Sequence, residues 1–245
     1  MCAEANIKTT DKAIREALGV PFVNKTGEVE WNKRVKLTDS FPTIDTTGEQ
    51  LELQNRVFPA VPFPNSRLSD LVMSKVTGEE EIVRIYERPT WRDGFTSHRC
   101  LTVLTSFFEP AYWGDDAGTI QEFSSKVDEV LFVASIKIQP KKPATGKVDG
   151  VSLLTHTPSD AMIQYHHRLL VFLKAEHAVE WIAGGKSDPY KKFEYLIQNR
   201  YVPQLETRKE RTMAKGWEKR VENHLHALED ERRYMAALQA ENLLA

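Results

Sequence analysis

Only two cysteines occur in 245 residues, Cys2 and Cys100. They are too few and too far apart for a disulfide framework, and they lack the CxxC or Cys/His spacing of a metal centre. The chain has no excess of one charge: 33 Lys+Arg stand against 35 Asp+Glu, a formal net charge of −2. That balance excludes a chain that is basic throughout, so any nucleic-acid site must be a local patch. No apolar run approaches the ~20 residues of a membrane span. The first residues carry Glu4, Lys8, Asp11 and Lys12 in place of a signal-peptide core. These absences predict a soluble, unexported protein of a reducing compartment, cytoplasmic (nucleoid-associated) or nuclear, without membrane contact.

What is present suffices for one substantial core with appendages. TTDKAIREALGV has a capping Thr10 or Asp11, an apolar face of Ile14, Ala17 and Leu18, and Gly19 as a stop, which predicts a helix. Residues 20–66 read as irregular, with short strands joined by Pro-rich loops. SDLVMSKV is read as a short helix, EEIVRIY as a strand, and RCLTVLTSFFE as a long β-rich run. DEVLFVASIKIQ and VDGVSLLTHT flank the polar loop KKPATGK, and AEHAVEWIAG returns to helical spacing. After Pro203 the chain is densely charged, with a thin seam of Val221, Leu225, Leu228, Met235 and Leu238. It reads as a long C-terminal helix, for which docking on its own domain is favoured over self-association or a protein partner.

Four stretches carry residues of functional type. Cys2, once Met1 is removed, has an α-amine beside its thiol, and such a 1,2-aminothiol captures aldehydes. In PNSRLSD, Asn65 and Arg67 lie two apart on extended chain and point the same way, so the guanidinium could take a phosphate. Glu109 in SFFEPAYW has aromatic neighbours, and the resulting desolvation would raise its pKa into the range useful for proton transfer. In YHHRLLVFL, read as extended, His166 and Arg168 share one face and His167 takes the other. No second ligand cluster accompanies the two histidines, so neither a metal nor a cofactor is expected.

Taken in order, MCAEANIKTT, NSR, the run HRCLTVLTSFFEPAYW and IQYHHRLL resemble the SOS response-associated peptidase (SRAP) family of abasic-site shields over roughly residues 1–185. Members begin Met-Cys-Gly-Arg, carry Asn-Ala-Arg, an Arg-Cys-Leu strand leading to Gly-Phe-Tyr-Glu-Trp, and a His-Asp-Arg-Met-Pro segment. Here Ala3 and Glu4 replace Gly-Arg, Ser66 replaces Ala, Pro110 follows the glutamate, and His167 and Leu170 replace Asp and Pro. Phe58 and Phe63 stand in the loop where the family carries tryptophan.

The resemblance implies an α+β fold: a compact single domain on a curved, mostly antiparallel sheet or barrel with peripheral helices (residues 1–202), and a helical extension (203–245). It implies that Cys2, Asn65, Glu109 and His166 form the catalytic set, joining Cys2 to an abasic site in single-stranded or junction DNA as a thiazolidine. Asn65 would orient the N-terminus, Glu109 would shuttle protons, and His166 would assist sugar opening. Arg67, Arg168 and Phe63 would contact DNA, together with a patch of Arg84, Arg88, Trp91, Arg92 and Arg99. An N-terminal cysteine (auto)peptidase shares all these residues, and a non-catalytic DNA-binding or assembly protein could retain the fold. The aldehyde chemistry requires a free amine, so intact-protein mass spectrometry should give the chain mass less one methionine residue. A protein that keeps Met1 and still cross-links overturns the α-amine mechanism.

Overall fold

The computed structural model describes residues 4–48, 50–58, 65–138, 150–183 and 186–240. Cys2, Phe63 and the KKPATGK loop lie outside the described residues. The first strand, β1 (Glu4–Thr10), runs directly into the first helix, α1 (Asp11–Leu18). The Thr10 hydroxyl accepts from the Ala13 amide, and Gly19 closes the helix in the left-handed region at φ 74°, a conformation glycine adopts without strain. Four strands follow: β2 (Val23–Asn24), β3 (Glu30–Lys36), β4 (Ser40–Thr47) and β5 (Gln50–Val57). This region is more regular than its prolines suggest, because EWNKRVK and QLELQNRV are polar strands whose few inward residues, Trp31, Val35 and Leu53, reach the core.

The short strand β6 (Asn65–Arg67) leads to β7 (Ser69–Met73) and β8 (Glu80–Arg84), a two-stranded hairpin. SDLVM is therefore a strand, where the sequence suggested a helix. Its neighbour EEIVR supplies a continuous pairing partner, and Gly78 at φ 74° closes the turn between them. The helix α2 (Pro89–Ser97) precedes β9 (Arg99–Leu104) and β10 (Ser106–Ala111), and β11 (Thr119–Ser125), β12 (Leu131–Ile138) and β13 (Gly150–His156) follow. Next come α3 (Asp160–Ile163), β14 (Leu169–Leu170), β15 (Phe172–Leu173), α4 (Ala175–Ile182), α5 (Pro189–Asn199) and β16 (Arg200–Tyr201). The chain ends with β17 (Leu205–Thr212) and α6 (Val221–Ala240).

Two sheets carry the domain. One has the order β17-β11-β10-β1-β3, and its two edge strands are joined by an ion pair between Arg34 and Glu210 (2.6 Å), which requires strong curling. In the other, β13 pairs with both β12 and β5, so β13, β5, β4, β9 and β12 form a closed ring. All six residues of β9 are buried, as expected for a strand covered on both faces. The run RCLTVLTSFFE passes from the ring into the curled sheet at Thr105. The sheets meet through Phe107, which stacks on Phe123 at 5.2 Å and lies 5.7 Å from Phe172. The domain is thus α+β, with large curved sheets and peripheral helices. Among the described residues no helix is long and apolar enough to cross a membrane.

The C-terminal segment differs from a single long helix. LETRKERT pairs with β11 along its whole length, its charges met by cross-strand partners: Arg208 by Glu122 (2.5 Å) and Arg211 by Glu4 (3.0 Å). Dense charge here marks an edge strand, where charged side chains also oppose aggregation. The helix begins only at Val221.

Two residues expected in a DNA patch are inside the domain. Trp91 belongs to the core. Arg99 is buried and donates to the carbonyls of Trp181 (2.8 Å), Thr96 (2.6 Å) and Ala183 (3.0 Å), tying the ends of α2 and α4 together. Arg99→Ala would strand those carbonyls and should lower stability by about 2–3 kcal/mol in urea denaturation. Any affinity of the folded fraction for single-stranded DNA should be unchanged. Unchanged stability with weakened binding would return Arg99 to the surface patch.

Candidate active site

The pairing of β6 with β13 is parallel, with Asn65 opposite Leu153 and Arg67 opposite Thr155. Alternation along three residues then sorts the side chains. Ser66 turns inward, its hydroxyl 2.7 Å from that of Ser152, and Asn65 and Arg67 share the other face, as their spacing predicts.

Glu109 lies in the middle of β10, opposite Gln121 of β11, and only 3% of its surface is exposed. Its neighbour Phe108 points away and carries the Arg34 guanidinium 3.9 Å above its ring. The Glu109 carboxylate lies 3.7 Å from Nε2 of His166, ion-pair range just beyond a hydrogen bond. Burial pushes the Glu109 carboxyl up to about 6. Burial also pushes the His166 imidazole well below its ordinary range, so the ring is neutral near pH 7. One face of the pair is therefore a carboxyl poised near neutrality and the other an uncharged imidazole. The segment carrying His166 is a bend between α3 and β14, not the extended chain expected. Nδ1 of His166 accepts from the Arg168 amide at 3.2 Å, which closes the bend.

This bend alters the expected division of the histidines. The rings of His166 and His167 lie 4.4 Å apart, both buried, so they do not face opposite sides. His167, at about 2 through burial and the nearby Arg168, is also neutral. With Arg67, Arg88 and Arg168 it lines a cavity of about 510 Å³ beside the β7–β8 hairpin and α6. Asp70 bridges Arg67 (3.0 Å) and Arg88 (2.9 Å), which brings Arg88 to the site. Arg84 and Arg92 lie elsewhere: Arg84 sits 5.9 Å over Phe193, and Arg92 donates to the carbonyls of Tyr86 and Glu87. Among the described residues no cluster of His, Cys, Asp or Glu is arranged to hold a metal ion.

The sequence reading missed Glu231, Tyr234 and His224 at this site. Glu231 of α6 is fully buried and pairs with Nη2 of Arg67. Tyr234 lies 4.1 Å under the same guanidinium, and its hydroxyl meets that of Ser69. His224 stacks on Tyr112 with ring centroids 3.6 Å apart. The signal for α6 was its spacing: Leu228, Glu231, Tyr234 and Leu238 form the buried stripe, and an acidic residue inside such a stripe is a buried carboxylate in search of a cation. The apolar seam taken from sequence shares Leu228 and Leu238 with this stripe, and Leu225 alone of its members is exposed.

The ionisations have opposite signs for stability. A carboxyl raised from 4.5 to about 6 contributes stability that is full below pH 4.5 and lost as pH rises through about 6. The depressed His166 contributes stability present above pH 6.5 and lost as pH falls towards its folded value. Glu109→Gln should remove only the first effect. Urea midpoints across pH 4 to 8 should show the variant gaining about 2 kcal/mol on the parent between pH 4 and pH 7. A constant difference would mean that Glu109 is not raised.

Residues 1–212 match the model of the family described as SOS response associated peptidase (SRAP). No curated protein sequence matches the chain. Among solved structures, a protein from Bacteroides thetaiotaomicron is 15% identical, with TM-score 0.63, covering 93% of this chain and 98% of that one. A protein from Bordetella bronchiseptica is 14% identical with TM-score 0.62, covering 86% of this chain and all of that one. A phage-related protein from Bordetella bronchiseptica is 17% identical with TM-score 0.59, covering 86% and 95%. At these identities the structures establish the fold alone.

Proposed function

Because the chain belongs to the SOS response-associated peptidase (SRAP) family, we propose that it captures abasic sites in single-stranded DNA as a covalent thiazolidine on Cys2. The observation that carries this reading is the buried Glu109–His166 pair at 3.7 Å beside the start of β1. Glu4, two residues after Cys2, is registered opposite Phe108, one residue before Glu109.

An abasic sugar opens to an aldehyde at C1′. The Cys2 amine attacks that carbon, and the carbinolamine loses one water to give an imine. The thiol then adds to the imine carbon, its proton passes to nitrogen, and the five-membered ring closes. An α-amine with a pKa of ~7.7–8.0 and a thiol near ~8.5 keep usable neutral amine and thiolate fractions at cellular pH. Glu109, at about 6, exists in both protonation states near neutrality and relays protons among amine, carbinolamine and thiol. The neutral His166 exchanges a proton with it as the sugar opens and the oxygen departs. Asn65 orients the amine, and Arg67 and Arg168 hold flanking phosphate, which positions the strand without reading its bases.

A denaturing gel of purified protein incubated with an abasic oligonucleotide tests this directly. The parent should give a heat-stable adduct, and Cys2→Ala only an imine trapped by borohydride. His166→Ala should slow single-turnover cross-linking by ~10²–10⁴-fold. Absence of adduct together with a cleaved peptide product would replace this reading with an N-terminal cysteine peptidase.

A further inference from the structure

The family match ends at Thr212, the last residue of β17, and beyond it the described residues reach the candidate site through His224, Glu231 and Tyr234. Trp217 packs its ring against Gly118, where an added Cβ would stand 2.7 Å from the indole. His224 covers Tyr112, and its ring lies 6.1 Å from that of His167. About two to three turns on, Glu231 and Tyr234 clasp Arg67 from two directions. From Trp217 to Tyr234 the chain thus runs from the end of β10 to β6, over the groove between them.

The contact at the centre of this span is a poor one for stability alone. Glu231 is fully buried, and among the described residues its Oε1 has no hydrogen-bond partner. Nε of Arg67 and Nε of Arg168 also lack partners among the described residues. A buried ion pair that leaves donors and acceptors unmet does not recover its desolvation cost. The rest of the helix holds on by little: of its twenty residues only Leu228, Glu231, Tyr234 and Leu238 are buried. A carboxylate on a guanidinium carries the charge of a phosphodiester on the same group, and here it meets Arg67 through one oxygen only, Oε2 on Nη2, where a phosphodiester can engage the fork through two.

We propose that α6 is an autoinhibitory lid, in which the Glu231 carboxylate occupies on Arg67 the place that a backbone phosphate of single-stranded DNA takes once the helix swings away. This rests on the reading of the groove as a DNA site. It adds a competition: the strand must displace the helix before Arg67 and Arg168 engage it. The freed guanidiniums then gain an oxyanion with more acceptor oxygens than one carboxylate offers, and Glu231 reaches water.

The test uses the full chain and an undamaged fluorescein-labelled oligothymidine, so that it does not depend on Cys2 chemistry. Glu231→Gln removes the competing charge and should tighten binding about tenfold. The slope of log K against log salt should stay the same, because parent and variant make the same phosphate contacts once the helix is displaced. A Glu231 that served only the fold would not tighten binding. Adding Arg67→Ala to Glu231→Gln should erase the gain and flatten the slope by about 0.7, the loss of one phosphate contact on a single strand. Ser69→Ala, which removes only the hydroxyl contact to Tyr234, should tighten binding in the same direction and serves if the first variant does not fold. In the parent protein, saturating oligothymidine should raise hydrogen exchange across residues 221–240 and leave β17 protected. Unchanged affinity in Glu231→Gln and Ser69→Ala, or equal protection of α6 with and without oligonucleotide, overturns the lid. Failure of the abasic cross-link with a positive lid result overturns the thiazolidine reading alone. No oligonucleotide binding by any of these proteins at low salt overturns both.

Discussion

Strand β13 is the element on which the rest of the site depends, because its two edges are shared among four partners. One edge pairs in succession with β5 and β6, the other with β12 and β14. Thr155 alone stands between Arg67 on one side and Leu170 on the other. The strand carrying Asn65 and Arg67 is thereby set opposite the segment that delivers His166, His167 and Arg168. GVSLLTH is buried throughout, so slipping its register by one residue would exchange its two faces and part Ser152 from Ser66. Closure of the ring, which needs that register, fixes the distance between groups separated by a hundred residues of chain.

The second constraint is desolvation. Packing the curled sheet against the ring removes water from Glu109 and His166 together, and each responds by disfavouring its charged form. The consequence is a carboxyl near 6 facing a neutral imidazole. In the cavity alongside, guanidiniums and a carboxylate are buried with only part of their hydrogen bonding satisfied. Burial thus raises one carboxyl towards neutrality and leaves the other cluster with unmet donors and acceptors. Cys100 shows the same physics: burial pushes its thiol up to about 12, which disfavours the thiolate.

Basic residues divide by where burial places them. Arg99 and Arg92 spend their donors on backbone carbonyls, Arg56 pairs with Asp45 at 2.8 Å inside the domain, and Arg208 and Arg211 stitch the edge strand to its sheet. Arg67, Arg88, Arg168 and Arg233 converge on one cavity, where Asp70, Glu80 and Asp230 meet them. A near-neutral chain thus gathers four guanidiniums at one place while most of its other arginines are used elsewhere.

The sequence by itself determined the local pieces whose physics is local. Thr10 and Gly19 delimit α1, two-residue spacing puts Asn65 and Arg67 on one face, and a glutamate among aromatic residues becomes a raised carboxyl. Order and motif spacing sufficed for the family and for an α+β domain. Tertiary structure decided whatever depends on partners distant in the chain. SDLVM became a strand because β8 was available to pair with it, and LETRKERT became an edge strand because β11 offered an open side. The bend at His166 brought two histidines together that an extended chain would separate. Arg99 and Arg67 carry the same charge on strands that read alike, yet one caps buried carbonyls and the other meets a carboxylate from 164 residues away. No pattern within a single segment encodes that difference, because it is set by which helix the closed ring leaves room for.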